Sequence, residues 1–379
     1  MQRPSPLSDG VVLLRPPSRA DLDDMVGWCR DEEVVRWTVN VPVPYERHHA
    51  EEFLARVEQA RQAGTAYSFV IETAGRPAGQ LSLRRQGSGA ADIGFLLAPP
   101  ARGKGLMSRA LRLLLTWAFD ELRLEVVHWR AIVGNWTSRR VAWACGFQVE
   151  GRVRGLLDQR GTLKDGWIGS LQAGDAMRPA TPWLEVPRLE AGRVVLRRND
   201  VRDVVRIVEA CRDPQTQRWL PDLPRPYTFE DAIAYLESLP EANATGEGVY
   251  WAVADAEDEQ LLAQIGLMGM RQGRRSAEIG YWSHPDARGS GVVTTAVRLV
   301  ARHALLSTED GGLGLSRVQL RVARGNEASA RVAEKAGFTA SGVDRQAERL
   351  RDGSVRDFLR YDLLVDEMEQ AWAHPSALR

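Results

Sequence analysis

Two short turns hold the residue types most suited to chemistry. ARGKG at 101–105 and ARGSG at 287–291 each set glycines next to a cation just before an apolar-periodic run. Glycine lets the backbone curl tightly, so successive N–H groups converge on one point at the start of a helix. The helix terminus adds partial positive charge, and Arg102 with Lys104, or Arg288 alone, adds full charge beside it. Such a point suits a phosphate or pyrophosphate. A single glycine turn before a helix is weak evidence, since a plain tight turn explains it as well, but two in matching contexts are stronger. No GxGxxG and no GxxxxGK[ST] occurs, so the commoner nucleotide signatures are absent.

The turns belong to a longer repeat. DIGFLLAPPARGKG from 92 matches EIGYWSHPDARGSG from 278 without a gap, and NWTSRRVAWACGF from 135 matches NEASARVAEKAGF from 326. RWTVNVPVPY from 36 likewise parallels RWLPDLPRPY from 218. A unit this long, present twice, is a domain duplication rather than a solenoid. The 379 residues suit two domains of ordinary size. We expect domains over 1–178 and 191–379, joined by a Pro-, Gly- and Ala-rich linker over 179–190.

Each half predicts the same elements: a short strand, helices, a meander of three strands, then the glycine turn and a helix. That helix carries apolar residues at 3.6 spacing, with Leu106, Met107, Ala110 and Leu111 in one copy and Val292, Val293, Ala296 and Val297 in the other. A strand, a helix ending at Gly146 or Gly337, and two closing strands complete the unit. The expected class is α+β, with a mixed, mostly antiparallel sheet flanked by helices.

Taken together, D/E-I-G-F/Y, RGxG and NxxSxxVAxxxGF resemble the GNAT acetyltransferase superfamily, in particular its ribosomal-protein N-terminal acetyltransferase branch. RW…P.PY and the late pairs Gly161 with Asp165 and Gly353 with Asp357 fit that branch. The resemblance covers nearly all of each half and implies two tandem GNAT folds with acetyl-coenzyme A as co-substrate. It assigns the pyrophosphate to Arg102, Gly103, Lys104, Gly105 and Leu106, and to Arg288, Gly289, Ser290, Gly291 and Val292. Ser108 and Thr294 follow as further phosphate contacts. Met107 and Val293 depart from the family's small residue, which is tolerable if they point into the core.

The same resemblance gives the strand before each turn, Phe95 to Leu97 and Tyr281, Trp282 and Ser283, the task of meeting the thioester oxygen with backbone N–H. Glu278 stands at a catalytic base position, with Asp92 in the first copy; the alternative is an ordinary polar residue on a half-exposed strand. Ser329 and Ser138 match a serine near the coenzyme sulfur that is assigned in some members as the general acid, or else belong to the helix-capping pattern begun by Asn326 and Asn135, which the resemblance also counts among the coenzyme contacts. The family's tyrosine acid on this helix is replaced by Ala142 and Ala333. We expect the second copy to be catalytic, on its longer carboxylate, its fuller EIGYW match and Thr294. The first has Lys104 but sets Pro99 and Pro100, which lack N–H donors, beside its turn.

The resemblance implies an amine acceptor, either the α-amine of a peptide or protein or a small amine such as an antibiotic modified for self-protection. A non-catalytic acyl-coenzyme A sensor is the reading from another class. Lys plus Arg and Asp plus Glu are each 50, so no basic excess points to nucleic acid, and the arginine runs 84–85 and 271–275 read as solvated. Six histidines form no HExxH pair or His/Cys cluster, so no metal is expected. Three scattered cysteines, no signal-like start and no long apolar run point to the cytoplasm, away from any membrane.

Overall fold

Alternation of apolar and polar residues along the strands of each half builds one sheet with helices on both faces. The computed structural model describes residues 6–270 and 275–372, so most of the arginine run at 271–275, and His374, lie outside the described residues. The chain divides into two compact units, one ending at Ala180 and the other starting at Thr181.

In the first unit the order is β1 (Leu7–Ser8), β2 (Leu13–Arg15), α1 (Leu22–Arg30), α2 (Glu32–Trp37), α3 (Arg47–Ala63), β3 (Ala66–Thr73), β4 (Arg76–Gln86) and β5 (Ala90–Leu97). Then come α4 (Leu106–Asp120), β6 (Val126–Ile132), α5 (Trp136–Ala144), β7 (Gln148–Gln159) and β8 (Thr162–Gln172). The sheet order is β1-β2-β3-β4-β5-β6-β8-β7, antiparallel except where β5 meets β6. The core lies where Leu111, Leu114 and Leu115 of α4 meet Phe69, Leu81, Leu83 and Trp129 of the strands. A smaller cluster on the other face joins Leu22, Met25 and Trp28 of α1 to Tyr45 and Val70.

The second unit repeats this plan with β9 (Leu189–Ala191), β10 (Val194–Arg197), α6 (Val204–Arg212), α7 (Pro214–Trp219), α8 (Phe229–Thr245), β11 (Gly248–Asp255), β12 (Leu261–Met268) and β13 (Ser276–Ser283). It continues through α9 (Val292–Leu305), β14 (Arg317–Ala323), α10 (Glu327–Lys335), β15 (Thr339–Arg349), β16 (Val355–Leu364) and α11 (Val365–Trp372). Its sheet order is β15-β16-β14-β13-β12-β11-β10-β9, and β13 with β14 is the parallel pair.

The 179–190 stretch, expected to be a linker, has packing of its own. Leu184 is buried in the second unit's core, and the Trp251 indole donates to the Pro187 carbonyl at 2.9 Å. Leu189 and Glu190 pair with β10 as part of β9. Apolar residues spaced through a proline-rich stretch lack any period, yet they still cover an adjacent core.

The late glycine and aspartate pairs hold a bulge. Gly161 and Gly353 take positive φ in the hairpin turns. Asp165 accepts from the Gly155 N–H, and Asp357 from the Gln346 N–H, both at 3.0 Å. Gly155 and Gln346 have φ of 62° and 49°, at the register shifts of β7 and β15. A bulge leaves a backbone group without its ladder partner, and the carboxylate supplies one.

Candidate active site

The parallel strands part company early. β13 pairs with β14 only from Ser276 to Glu278, against Arg317 to Gln319. Past Glu278, β13 stays on β12 as far as Ser283, while β14 stays on β16 as far as Ala323. A V-shaped gap therefore opens between them, with Glu278 at its apex. In the first unit β5 and β6 pair over Ala90 to Ile93 and then diverge in the same way. Phe95 to Leu97 and Tyr281 to Ser283 thus lie on strands with no partner on the gap side.

At the open end of each V, β5 or β13 runs through a single 3-10 turn, Pro99–Ala101 or Pro285–Ala287, into the glycine turn and the helix. Gly103 and Gly105 have φ of 73° and 71°, and Gly289 and Gly291 have 75° and 84°. This left-handed backbone is readily open only to glycine. A Cβ added at any of the four would meet nothing within 4 Å. Among the described residues, no acceptor faces the N–H groups of Gly103, Lys104, Gly105, Leu106 and Met107, or those of Gly289, Gly291, Val292 and Val293. Free donors ringed around open space at a helix N-terminus fit a pyrophosphate.

Ser108 and Thr294 are the third residues of α4 and α9 and are half-buried beside that space. Met107 is buried in the first unit's core and Val293 packs against the second unit's, so neither blocks its own turn. The prolines expected to weaken the first turn take no donor from its ring: Pro99 and Pro100 sit in the preceding 3-10 turn, where the Pro99 carbonyl accepts from the Arg102 N–H, and the second copy has Pro285 at the same place. Both rings of donors are intact.

The two arginines, expected beside the phosphates, are committed elsewhere. Arg102 pairs with Asp31 and donates to the Leu97 carbonyl at 3.2 and 3.1 Å. Arg288 donates to Asp213 at 2.5 Å, Thr216 at 3.0 Å and Gln215 at 3.1 Å. Asp31 and Asp213 cap α2 and α7, accepting from Val34 and Thr216 N–H. Each guanidinium therefore ties the glycine turn to the short helix opposite and holds its aspartate below the usual carboxylate range, although burial pushes the other way. Free charge remains on exposed Lys104 in the first copy; the second has Ser290, whose hydroxyl donates to the Ala287 carbonyl at 2.6 Å.

Asn135 and Asn326 are also spent locally, as N-caps accepting from the Ser138 and Ser329 N–H at 3.1 and 3.3 Å. Capping explains both asparagines, and a coenzyme contact through these side chains is not needed.

The two copies differ in their carboxylates. Asp92 is 5% exposed and held by Arg130 of β6 and Gln86. Arg321 occupies the place of Arg130 in β14 but turns to Asp344 and Glu348 of β15, each at 3.3 Å. Among the described residues the Glu278 carboxylate has no hydrogen-bond partner. Burial raises its pKa, Arg321 lowers it in part, and Glu348 and Asp344 raise it further. Half-buried, at the apex and without a paired cation among the described residues, Glu278 is suited to accept a proton.

They differ at the serines too. Ser329 and Tyr281 share a hydroxyl–hydroxyl hydrogen bond of 2.7 Å. Phe95 stands where Tyr281 does, and Ser138 instead accepts from the buried Trp129 indole at 3.0 Å. Tyr281 was expected to act through its backbone alone; the side-chain pairing spans 48 residues and left no sequence signal. Trp282, the next residue, packs on the opposite face with the α6 and α8 cluster. A cavity of about 390 Å³ lined by Pro16, Leu54, Val57, Tyr67 and Phe69 includes none of these residues. Among the described residues no group of His, Cys, Asp or Glu could hold a metal, and no helix is long and apolar enough to cross a membrane.

Comparison with known proteins agrees with this layout. The model of the acetyltransferase (GNAT) domain matches twice, at residues 12–148 and 193–339. The uncharacterized N-acetyltransferase YoaA of Bacillus subtilis (strain 168) is 29% identical over 160 residues, 42% of this chain and 87% of that protein. The ribosomal-protein-serine acetyltransferase of Escherichia coli (strain K12) is 29% identical over 110 residues, 29% of this chain and 58% of that protein. Among solved structures, the RimL ribosomal L7/L12 alpha-N-protein acetyltransferase in complex with coenzyme A is 19% identical, covering 44% of this chain and 98% of that one at a TM-score of 0.42. The chain belongs to the GNAT family of N-acetyltransferases, is an acyltransferase whose family uses acetyl-coenzyme A as donor, and carries the domain twice.

Proposed function

We propose that the second unit transfers the acetyl group of acetyl-coenzyme A to the N-terminal α-amine of a peptide or protein. The observation that carries the choice of unit is the apex carboxylate. Glu278 is free to accept the proton the attacking amine loses as the amide forms, whereas Asp92 is already held by Arg130 and Gln86. In the second unit the free N–H groups of Gly289, Gly291 and Val292 hold the pyrophosphate, with Thr294 beside them. The unpaired edge of Tyr281 to Ser283 meets the thioester oxygen.

An α-amine, with a pKa of about 8 against about 10.4 for lysine, is deprotonated more easily near neutral pH. A half-buried carboxylate with a raised pKa suffices for it. The relatives named as ribosomal-protein acetyltransferases support a protein acceptor. The first unit keeps a full ring of donors and Lys104 but a quenched carboxylate, and we read it as a donor-binding unit without turnover. Three free, buried cysteines support a reducing, cytoplasmic setting.

The test is mass spectrometry of peptides incubated with the full-length chain and acetyl-coenzyme A. Acetyl on free N-termini and none on N-blocked, lysine-containing peptides supports the reading. Acetyl on lysine alone overturns the choice of acceptor.

A further inference from the structure

The base and the hydroxyl pair lie on opposite faces of the second sheet. Side chains alternate along a strand, so Glu278, Gly280 and Trp282 of β13 share one face, and Ile279 and Tyr281 the other. Trp282 packs with α6 and α8, and Tyr281 with the core beneath α9 and α10. Among the described residues, the opening between the faces at this level is the V beyond Glu278. Donor phosphates held at residues 289–292, at its open end, place the chain toward the apex along Tyr281 and Ser329, while an amine meets Glu278 from the other face.

Resting on the function proposed above, the geometry points to Tyr281 as the proton source behind Ser329 for the departing thiolate. The amine nitrogen forms its bond to the acetyl carbon, the C–S bond breaks and its electron pair goes to sulfur. Ser329 gives its proton to that sulfur and takes one from Tyr281. The surplus proton of the new amide nitrogen passes to Glu278 and through solvent back to Tyr281, so one N–H becomes one S–H. With Tyr281 donating to Ser329 Oγ, the serine's own proton is free to point into the gap. Burial pushes the Tyr281 phenol up to about 12, against a smaller lowering from Ser329, so it enters the step protonated at neutral pH. The first unit, with Phe95 and an indole on Ser138, has no equivalent.

The test uses the full-length chain, acetyl-coenzyme A and a pool of unblocked peptides differing in their first residue, with released thiol as the readout. For Tyr281→Phe and Ser329→Ala we expect kcat to fall by about 100-fold and the wild-type solvent isotope effect on kcat to disappear, as for loss of a general acid. Donor affinity by calorimetry stays within about twofold, and the double variant is no slower than either single one, as for residues acting as a unit. Should Tyr281→Phe fail to fold, Ser329→Ala decides. A kcat within about threefold of wild type in either variant, or a loss confined to donor affinity, overturns the inference while leaving the proposed function standing. No thiol release by the wild-type chain overturns both.

Discussion

At the scale of single residues, the proposed reaction of the second unit rests on one carboxylate kept clear of its nearest arginine. Arg130 and Arg321 occupy the same place, but Val153 and Leu157 in β7 offer Arg130 no rival carboxylate, whereas Asp344 and Glu348 in β15 draw Arg321 away. Glu278→Gln should lower kcat by about 10² to 10⁴-fold and abolish an acidic limb of the rate profile lying above the ordinary carboxylate range. The same residue has a signature in stability. Its folded pKa is raised, so its favourable contribution is complete below its unfolded pKa and is lost as pH rises through the folded value. Melting scans should find Glu278→Gln more stable than wild type at neutral pH, with the difference vanishing in acid. Glu278 and Ser329 were legible as positions from the repeat. Tyr281's side-chain role was not, because a contact between a strand and a helix 48 residues away leaves no trace in either segment.

Among the elements, the glycine turn and its helix were legible to the residue: α4 and α9 begin at Leu106 and Val292, where the 3.6 period starts after a glycine. The short helices α2 and α7, six residues each, were not, since one and a half turns cannot display a period. Missing them concealed the partners of Arg102 and Arg288. Asp213→Ala removes both the cap of α7 and the main partner of Arg288, and should cost about 1–3 kcal/mol by denaturant titration. Its effect on acetyl-coenzyme A affinity should be small, because the arginine is tied to the aspartate rather than offered to the ligand. Gly291→Val behaves differently. The left-handed φ of 84° strains any β-branched residue by about 1–2 kcal/mol, and its side chain would occupy the open space over the N–H ring, so calorimetry should find donor binding at that turn lost. The V was implied only by the resemblance, which leaves the backbone N–H groups of that strand free for the thioester; a splay is a loss of pairing, and by their own pattern Ile279 to Ser283 read as an ordinary strand.

For the whole molecule, the duplication was legible from aligned motifs, and each copy has its own core and its own sheet. What motif matching could not weigh was how the copies had drifted. Both turns keep the same backbone, while Arg130 holds Asp92 and Trp129 holds Ser138 opposite Phe95 in one copy, where the other has Glu278 and the Tyr281–Ser329 pair. The account therefore predicts two donor sites and one reaction. The most direct test is thiol release by the full-length chain with Gly103 and Gly105 replaced by valine, set against Gly289 and Gly291 replaced likewise, each with its donor stoichiometry. The first pair should lower stoichiometry from two to one and leave turnover intact, and the second should lower it equally and abolish turnover. Turnover that survives loss of the second turn and fails with the first would contradict the account.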